Sequence, residues 1–416
     1  MKKLLTATAL SAACLWSASA LASGYQLNEY SVTNLGRSFA GAGVVGDDYS
    51  AIAYNPAGMT LKKSGLQASF TMAEVAADVR GQSPDSLGKK TDMDFGVPLP
   101  AAFGQYQIND KWFVGGGVYA PYGLATRYKK DSFVADSARK STLEVIDYNL
   151  STAYKLNSQW SFGASFIARY IYGNMTNNIN HPTSGKLLGE SEFELDGWTY
   201  TGTLGVMYSP SEDTRIGLSY KPKSVQRVKG DHTVTATTPL GLAAGIAGVY
   251  PDGKASPDLP ETVLLSAYHK PFEKTAFTGS VRFTRWGDSF EKFSMTSTAT
   301  AGKPSVKYNW KDSWTISAGT EYYLNDNWTL RFGTAWDQSP SRDNRYRTHR
   351  IPDSDRIWIS AGLSYRYENM QFDLGYAHLF MKKSFIRESE NPAYNDHSSK
   401  YEAYSNMYGL GFQYNF

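Results

Sequence analysis

Few side chains in this sequence are placed to do chemistry, and their spacing points away from catalysis. The six histidines lie at 181, 232, 269, 349, 378 and 397. They lack the short intervals that hold a zinc ion, so neither a metal site nor a cofactor is expected. There is no G-x-S-x-G elbow. Nothing pairs a particular serine with a particular histidine, so a hydrolase stays an alternative without a candidate residue, and the chain reads as a non-enzyme. Gly41-Ala42-Gly43-Val44-Val45-Gly46 has the G-x-G-x-x-G form, but it lacks the preceding strand and following helix that a dinucleotide site requires. These glycines read as backbone freedom and close packing against a wall. Asn-Pro-Ala occurs at 55–57 and again at 391–393. Paired copies suggest water channels, yet there they sit on half-helices of a helical bundle, which this sequence does not encode. Asn391 reads as a turn in a polar outer loop. The Asn55 carboxamide reads as a cap for exposed backbone groups.

The stretch 112–128, WFVGGGVYAPYGLATRY, carries a different kind of signal. Gly115, Gly116 and Gly117 weaken it as a strand, and Pro121 has no N–H to give to a sheet. Two readings stand: a bulge near an outer rim, or a hole in the side of a wall. In lipid an unpaired backbone group costs several kcal/mol, so a hole needs another part of the chain to satisfy it.

The elements that position these residues begin after residue 22. Residues 1–22 read as a secretory signal, with Lys2 and Lys3 as the charged region, an apolar run up to Trp16, and Ala20-Leu21-Ala22 as the cleavage site. The single cysteine, Cys14, leaves with that signal. Of the 42 basic residues, Lys2 and Lys3 leave too, so 40 face 39 acidic ones. That balance gives no bulk case for nucleic acid. No later run is long and apolar enough for a membrane helix; 233–250 is broken by Pro239 and glycines. Negative mean hydropathy, 29 Tyr and 10 Trp suggest strands with one wet and one apolar face.

Alternation at period 2 is widespread. Trp160, Phe162, Ala164, Phe166, Ala168, Tyr170 and Tyr172 share one parity, against Ser161, Gly163, Ser165, Ile167 and Arg169. The same pattern recurs from Trp328 and from Arg356. Apolar-out, polar-in strands with aromatics toward their ends are the signature of a transmembrane barrel. A soluble sandwich would favour Val, Ile and Leu on its apolar face; here aromatics dominate it. Short connections near 108–111, 157–159, 211–214, 271–274, 325–327 and 368–369 alternate with longer ones near 81–92, 129–139, 177–190, 232–256, 294–309, 339–353 and 385–399. Counting between them gives a 14-stranded antiparallel transmembrane β-barrel, an all-β membrane protein over 65–416. The last strand ends in alternating aromatics and Phe416, which resembles the signal read by the barrel assembly machinery of the bacterial outer membrane.

Residues 23–64 complete the plan. This segment has no sustained period, is too short to bury a core alone, and is too apolar for a disordered tail. It reads as a plug, or hatch, inside the lumen.

Together these segments resemble the FadL family of outer-membrane long-chain fatty acid and hydrophobic-compound transporters. The resemblance rests on SGYQLNEYS, LGRSFAGAG and NPA near the start, YGLATRY in the third strand, and NDNWTLRFGTAWDQSP and RIPDSDRIWISAG near the end. It implies passive transport in the bacterial cell outer membrane, with capture by outer loops and sideways release into lipid through a gap at a kinked third strand. It places that kink at Ala120, Pro121, Tyr122 and Gly123, faced by Asn55, Pro56 and Ala57 of the hatch. Tyr25 would close the pocket from below. The capture groove would lie between 177–190 and 232–256, with Leu240, Leu242 and Ile246 as apolar contacts. Two departures accompany this. The family's carboxylate-binding arginine aligns with Asn177, and the first capture loop is short. Lys307 stands where the other cation is expected.

The ligands expected are fatty acids, detergents or, by the same route, neutral aromatic hydrocarbons. The other partners expected are outer-membrane lipid and lipopolysaccharide around a monomer, and no nucleic acid. Competing classes are a general porin, which predicts an open conducting lumen, and an outer-membrane hydrolase. Adhesion or phage reception through the long loops is compatible with transport.

Overall fold

The alternation seen in the sequence becomes a closed wall of fourteen antiparallel strands in the computed structural model. The structure describes residues 24–84, 86–300, 305–387 and 397–416. The signal at 1–22, with Cys14, and the second Asn-Pro-Ala at 391–393 lie outside the described residues.

In chain order the wall strands are β1 (Gly65–Gly81), β2 (Lys90–Gln107), β3 (Trp112–Arg127), β4 (Lys140–Lys155), β5 (Trp160–Asn180), β6 (Leu187–Ser211) and β7 (Thr214–Lys221). They continue as β8 (Glu261–Phe272), β9 (Thr275–Arg285), β10 (Ser313–Tyr323), β11 (Trp328–Asp337), β12 (Arg356–Tyr367), β13 (Met370–Met381) and β14 (Ser399–Asn415). Each pairs with its chain neighbour, and β1 pairs with β14 from Gly65↔Asn415 to Gly81↔Ser399, which closes the ring. Closure removes the two sheet edges that lipid cannot hydrate.

Side-chain parity follows the sequence. Trp160, Phe162 and Phe166 are exposed on the outer surface, whereas Ser161, Ile167 and Arg169 are buried. Trp358 keeps this parity but not its polarity: it faces inward with Arg356 and Ser360 and meets Phe39 edge-on at 5.5 Å.

Three of the short turns repeat one chemistry. Asn109, Asn157 and Asn325 each turn a side-chain oxygen back to accept the backbone N–H groups two and three residues on, at 2.8–3.0 Å. These are Asx turns, which fix a tight connection locally. A tryptophan follows each, and each sits on the tyrosine directly across the ladder: Trp112 on Tyr154, Trp160 on Tyr208 and Trp328 on Tyr365, at 4.5–4.7 Å. The aromatic girdle and the turn are thus specified by one four-residue pattern, N-x-x-W.

On the opposite rim, β5 and β6 run far past the wall. The strands Val228–Ala236 and Gly248–Ala255 extend that projection by pairing with β6 and with each other. Much of 177–190 and 232–256, expected as loop, is therefore ladder. Strands that overshoot the membrane gain backbone hydrogen bonds without needing an apolar face, so alternation alone does not mark them.

Residues 24–60 are almost all buried and pack against inward-facing wall residues. The segment holds two short helices, Val32–Leu35 and Ala51–Tyr54, and a 3-10 turn, Pro56–Leu61. Its backbone reaches the wall at inward glycines. A Cβ at Gly205 would collide with the Asn55 carboxamide, and one at Gly333 with the Arg37 backbone. Four charges join the segment to the wall. Arg37 meets Asp47 at 2.7 Å and Glu321 at 2.5 Å, and Arg331 meets Glu321 at 2.8 Å and Asp47 at 3.0 Å.

Candidate ligand-binding site

An apolar slot lies between the upper strands and the loops above them. Its walls include Leu124, Leu143, Ile171, Met175, Phe193, Leu195, Val228, Phe290, Phe293, Met295 and Ile351, packed closely enough to leave only about 40 Å³ of open space. That lining is usual for a small-molecule pocket. Tyr25 forms part of its floor. The Tyr25 ring meets Trp286 at 4.8 Å, Phe290 at 5.4 Å and Trp310 at 5.7 Å.

One cation enters this lining, and it comes from the segment before β12. The Arg350 guanidinium donates to Ser141 Oγ at 3.1 Å and to Asn177 Oδ1 at 3.3 Å. Both acceptors are neutral. A second, more polar groove opens outward and shares Phe193, Phe293, Met295, Tyr308 and Arg350 with the slot. Asn177, Ile246, His232 and Tyr250 line this outer groove. The two spaces therefore meet at Arg350.

Lys307 is exposed, with its ammonium 5.7 Å from the Tyr346 ring centre, while its neighbours Val306 and Tyr308 line the outer groove. Leu240 and Leu242 are exposed on the short helix Pro239–Ala243. Asn55 donates to Val206 O on β6 at 3.2 Å and accepts from Ala57 N at 3.1 Å, so it caps both the wall and its own 3-10 turn. Pro56 and Ala57 sit against Gly163 of β5.

The kink in β3 has a different partner from the Asn55–Ala57 stretch that the resemblance set opposite it. Pairing of β3 with β4 slips between Tyr119 and Tyr122. There Leu27 N donates to Pro121 O at 2.9 Å and Gly123 N donates to Tyr25 O at 2.8 Å. Gln26 and Tyr122 form the bridge between these two bonds. The N-terminal segment thus serves as a short strand on the free edge of the kink, which satisfies the backbone groups that a break in the wall exposes. From Tyr119 to Thr126 every residue of β3 is buried, unlike the alternating wall strands, so this half of β3 has left the lipid face.

The opposite edge of the break is written in β2. Its ladder with β3 runs only from Gln107↔Phe113 to Ala102↔Val118. Its ladder with β1 continues without slippage through Phe70↔Pro100 and Met72↔Pro98. Because β1 remains in register, the N–H groups that Pro98 and Pro100 lack belong on the β3 side. Two prolines at period 2 on one strand edge are a signal of the break legible in the sequence, beside Pro121.

Two carboxylates within the field of Arg356 sit out of water. Burial pushes Glu29 up to about 7, against the opposing pull of backbone N–H groups and Arg356. Burial also pushes Asp353 up to about 6, although Arg356, the Ser339 hydroxyl and the Gly24 N–H all favour its charged form. Asp353 accepts that Gly24 N–H at 3.1 Å, so it ties down the start of the described chain.

A family model described as outer membrane protein transport protein (OMPP1/FadL/TodX) matches residues 13–416. A long-chain fatty acid transport protein of Escherichia coli O6:H1 is 29% identical over 100% of this chain and 99% of its own length. The 47 kDa outer membrane protein of Pasteurella multocida is 31% identical over 98% of this chain and 97% of its own. The crystal structure of a Pseudomonas aeruginosa FadL homologue superposes with a TM-score of 0.83 at 22% identity, covering 94% of this chain and 100% of that one. That of the Pseudomonas putida toluene transporter TodX does so at 0.69 and 18% identity, with the same coverage. The structural likenesses establish a common barrel fold.

Proposed function

We propose, on the premise that this chain belongs to the OMPP1/FadL/TodX family of outer-membrane transport proteins, that its cargo is a long-chain fatty acid which leaves sideways into the membrane. Membership of that family puts the barrel in the outer membrane and gives it hydrophobic compounds to carry.

The outer groove collects the amphiphile, and the slot takes its tail. Burial of apolar ligand surface contributes roughly 25 cal/mol per Å². Arg350 holds the carboxylate where groove and slot meet. Its neutral partners Ser141 and Asn177 leave its charge uncompensated, so it stands in for the cation missing at position 177. Tyr25 and the strand behind it form a hatch. When ligand binding favours a shifted arrangement of that strand, the slot connects to the break between β2 and β3, and the tail enters lipid without crossing water. Transport runs down a gradient and needs no energy source.

The observation that carries the fatty-acid reading is one guanidinium in an otherwise apolar slot. Its test is equilibrium binding of oleate and of oleyl alcohol to the purified protein and to Arg350→Met. Oleate should weaken by about tenfold or more, as loss of a charge-assisted pair implies, with the alcohol unchanged. Equal losses, or none, would remove the carboxylate from the site. The aromatic floor around Tyr25 favours a second reading, import of neutral aromatic hydrocarbons, which predicts that the alcohol binds as well as oleate in the wild type.

A further inference from the structure

Behind the Tyr25–Leu27 strand lies a further, polar chamber with about 30 Å³ of open space. Tyr25 lines the apolar slot, and the next residue, Gln26, lines this chamber. Successive side chains of an extended segment point to opposite sides, so the strand is the partition between the two spaces.

The chamber carries positive charge that nothing in it balances. Lys221 has no hydrogen-bonded or ion-paired acid among the described residues, and its ammonium lies 6.0 Å from the Tyr119 ring centre. Arg282 donates to Asn28 Oδ1, a neutral acceptor. The nearby carboxylate, Asp147, is already gripped by Arg169 at 2.6 and 2.8 Å. Thr203, also in the lining, keeps a buried hydroxyl with no partner among the described residues. Uncompensated cations in a low-dielectric interior are costly unless an anion completes them. The lining thus offers an anion donors from both cations and from the Thr203 hydroxyl.

We infer that this chamber is a transit site for the carboxylate head group of the cargo, occupied after the Tyr25–Leu27 partition shifts and before the tail reaches the break beside Tyr119. This rests on the fatty-acid reading above. It adds that the head group is handed from Arg350 to Lys221 and Arg282 and is never left unpaired in the lumen. It also predicts that the chamber affects the rate for anionic cargo while leaving affinity at the outer slot alone.

The experiment compares cells carrying the wild type, Lys221→Met and Lys221→Arg at equal outer-membrane levels. Lys221→Met should lower oleate uptake by about tenfold, the scale of a lost charge-assisted bond. Oleate binding to the purified protein and toluene uptake should not change, and Lys221→Arg should restore the oleate rate. Oleate uptake at the wild-type rate in Lys221→Met would overturn the assignment while leaving the fatty-acid reading intact. Parallel loss of oleate and toluene uptake would also overturn it, as structural damage. A wild type that carries no oleate would remove both. Stabilisation of the wild type against heat by sodium chloride as strong as that by sodium acetate, both lost in Lys221→Met, would make any free small anion the occupant and so overturn the head-group assignment.

Discussion

The Arg350 guanidinium lies 3.3 Å from Asn177 Oδ1, which puts a cation from the segment before β12 beside a neutral residue at the end of β5. A carboxylate built at position 177 would therefore compete with the ligand for Arg350. Asn177→Asp should lower oleate affinity by about tenfold or more and leave a neutral hydrocarbon's affinity unchanged. Competitive displacement of a fluorescent fatty acid measures the first, and direct toluene binding the second. An unaltered oleate affinity would mean that Arg350 does not face the head group.

The break in the wall predicts a gain of pairing. Restoring donors on the β2 edge with Pro98→Val and Pro100→Val gives β3 something to bond, and each ladder bond contributes about 1 kcal/mol. The double variant should resist heat at least as well as the wild type in its electrophoretic shift, yet take up oleate several-fold more slowly. Normal uptake would argue that cargo does not pass between β2 and β3.

Much of the fold was legible because each strand repeats one local rule. Trp160 and Trp328 announce a girdle, and the asparagine three residues before each closes the turn. The kink was legible at Pro121. Its hydrogen-bonded partner was not, because nothing in the spacing of Tyr25 and Leu27 says which wall strand they meet, and the Asn-Pro-Ala motif drew the reading toward Asn55. Arg350 opens the RIPDSDRIWISAG segment that carried the family resemblance, yet it stands among several arginines in an outer connection with no period. Only the folded proximity of 141, 177 and 350 singles it out.

The charge quartet predicts where the N-terminal segment is held. Arg37→Met would leave Glu321, fully buried, with one arginine in place of two. Breaking a buried pair costs on the order of 3 kcal/mol. Hydrogen exchange of the amides near 38–48 should accelerate by about 100-fold at that cost, while amides of β12 and β13 stay protected. Loss of protection throughout the barrel would show instead that segment and wall unfold as one unit.

Glu29 makes the docking of that segment depend on pH. Its carboxyl titrates near its ordinary value of 4.5 when the segment is undocked and at about 7 when buried. The docked form therefore binds more protons across that interval, and docking weakens as pH rises. The contribution is complete below about 4.5 and is lost as pH climbs through 7, amounting to about 3 kcal/mol for the whole shift. Asp353, raised to about 6, acts in the same direction. Arg356 and Asp337 are the charges that bear on Glu29, the first favouring ionisation and the second opposing it. Protection of the Leu27 and Gly123 amides, corrected for intrinsic exchange, should then be higher at pH 5 than at pH 8. Glu29→Gln should flatten most of that slope and leave a smaller remainder belonging to Asp353. Protection that rises with pH would mean that Glu29 is held as an anion, by Arg356, and that burial is not what governs it.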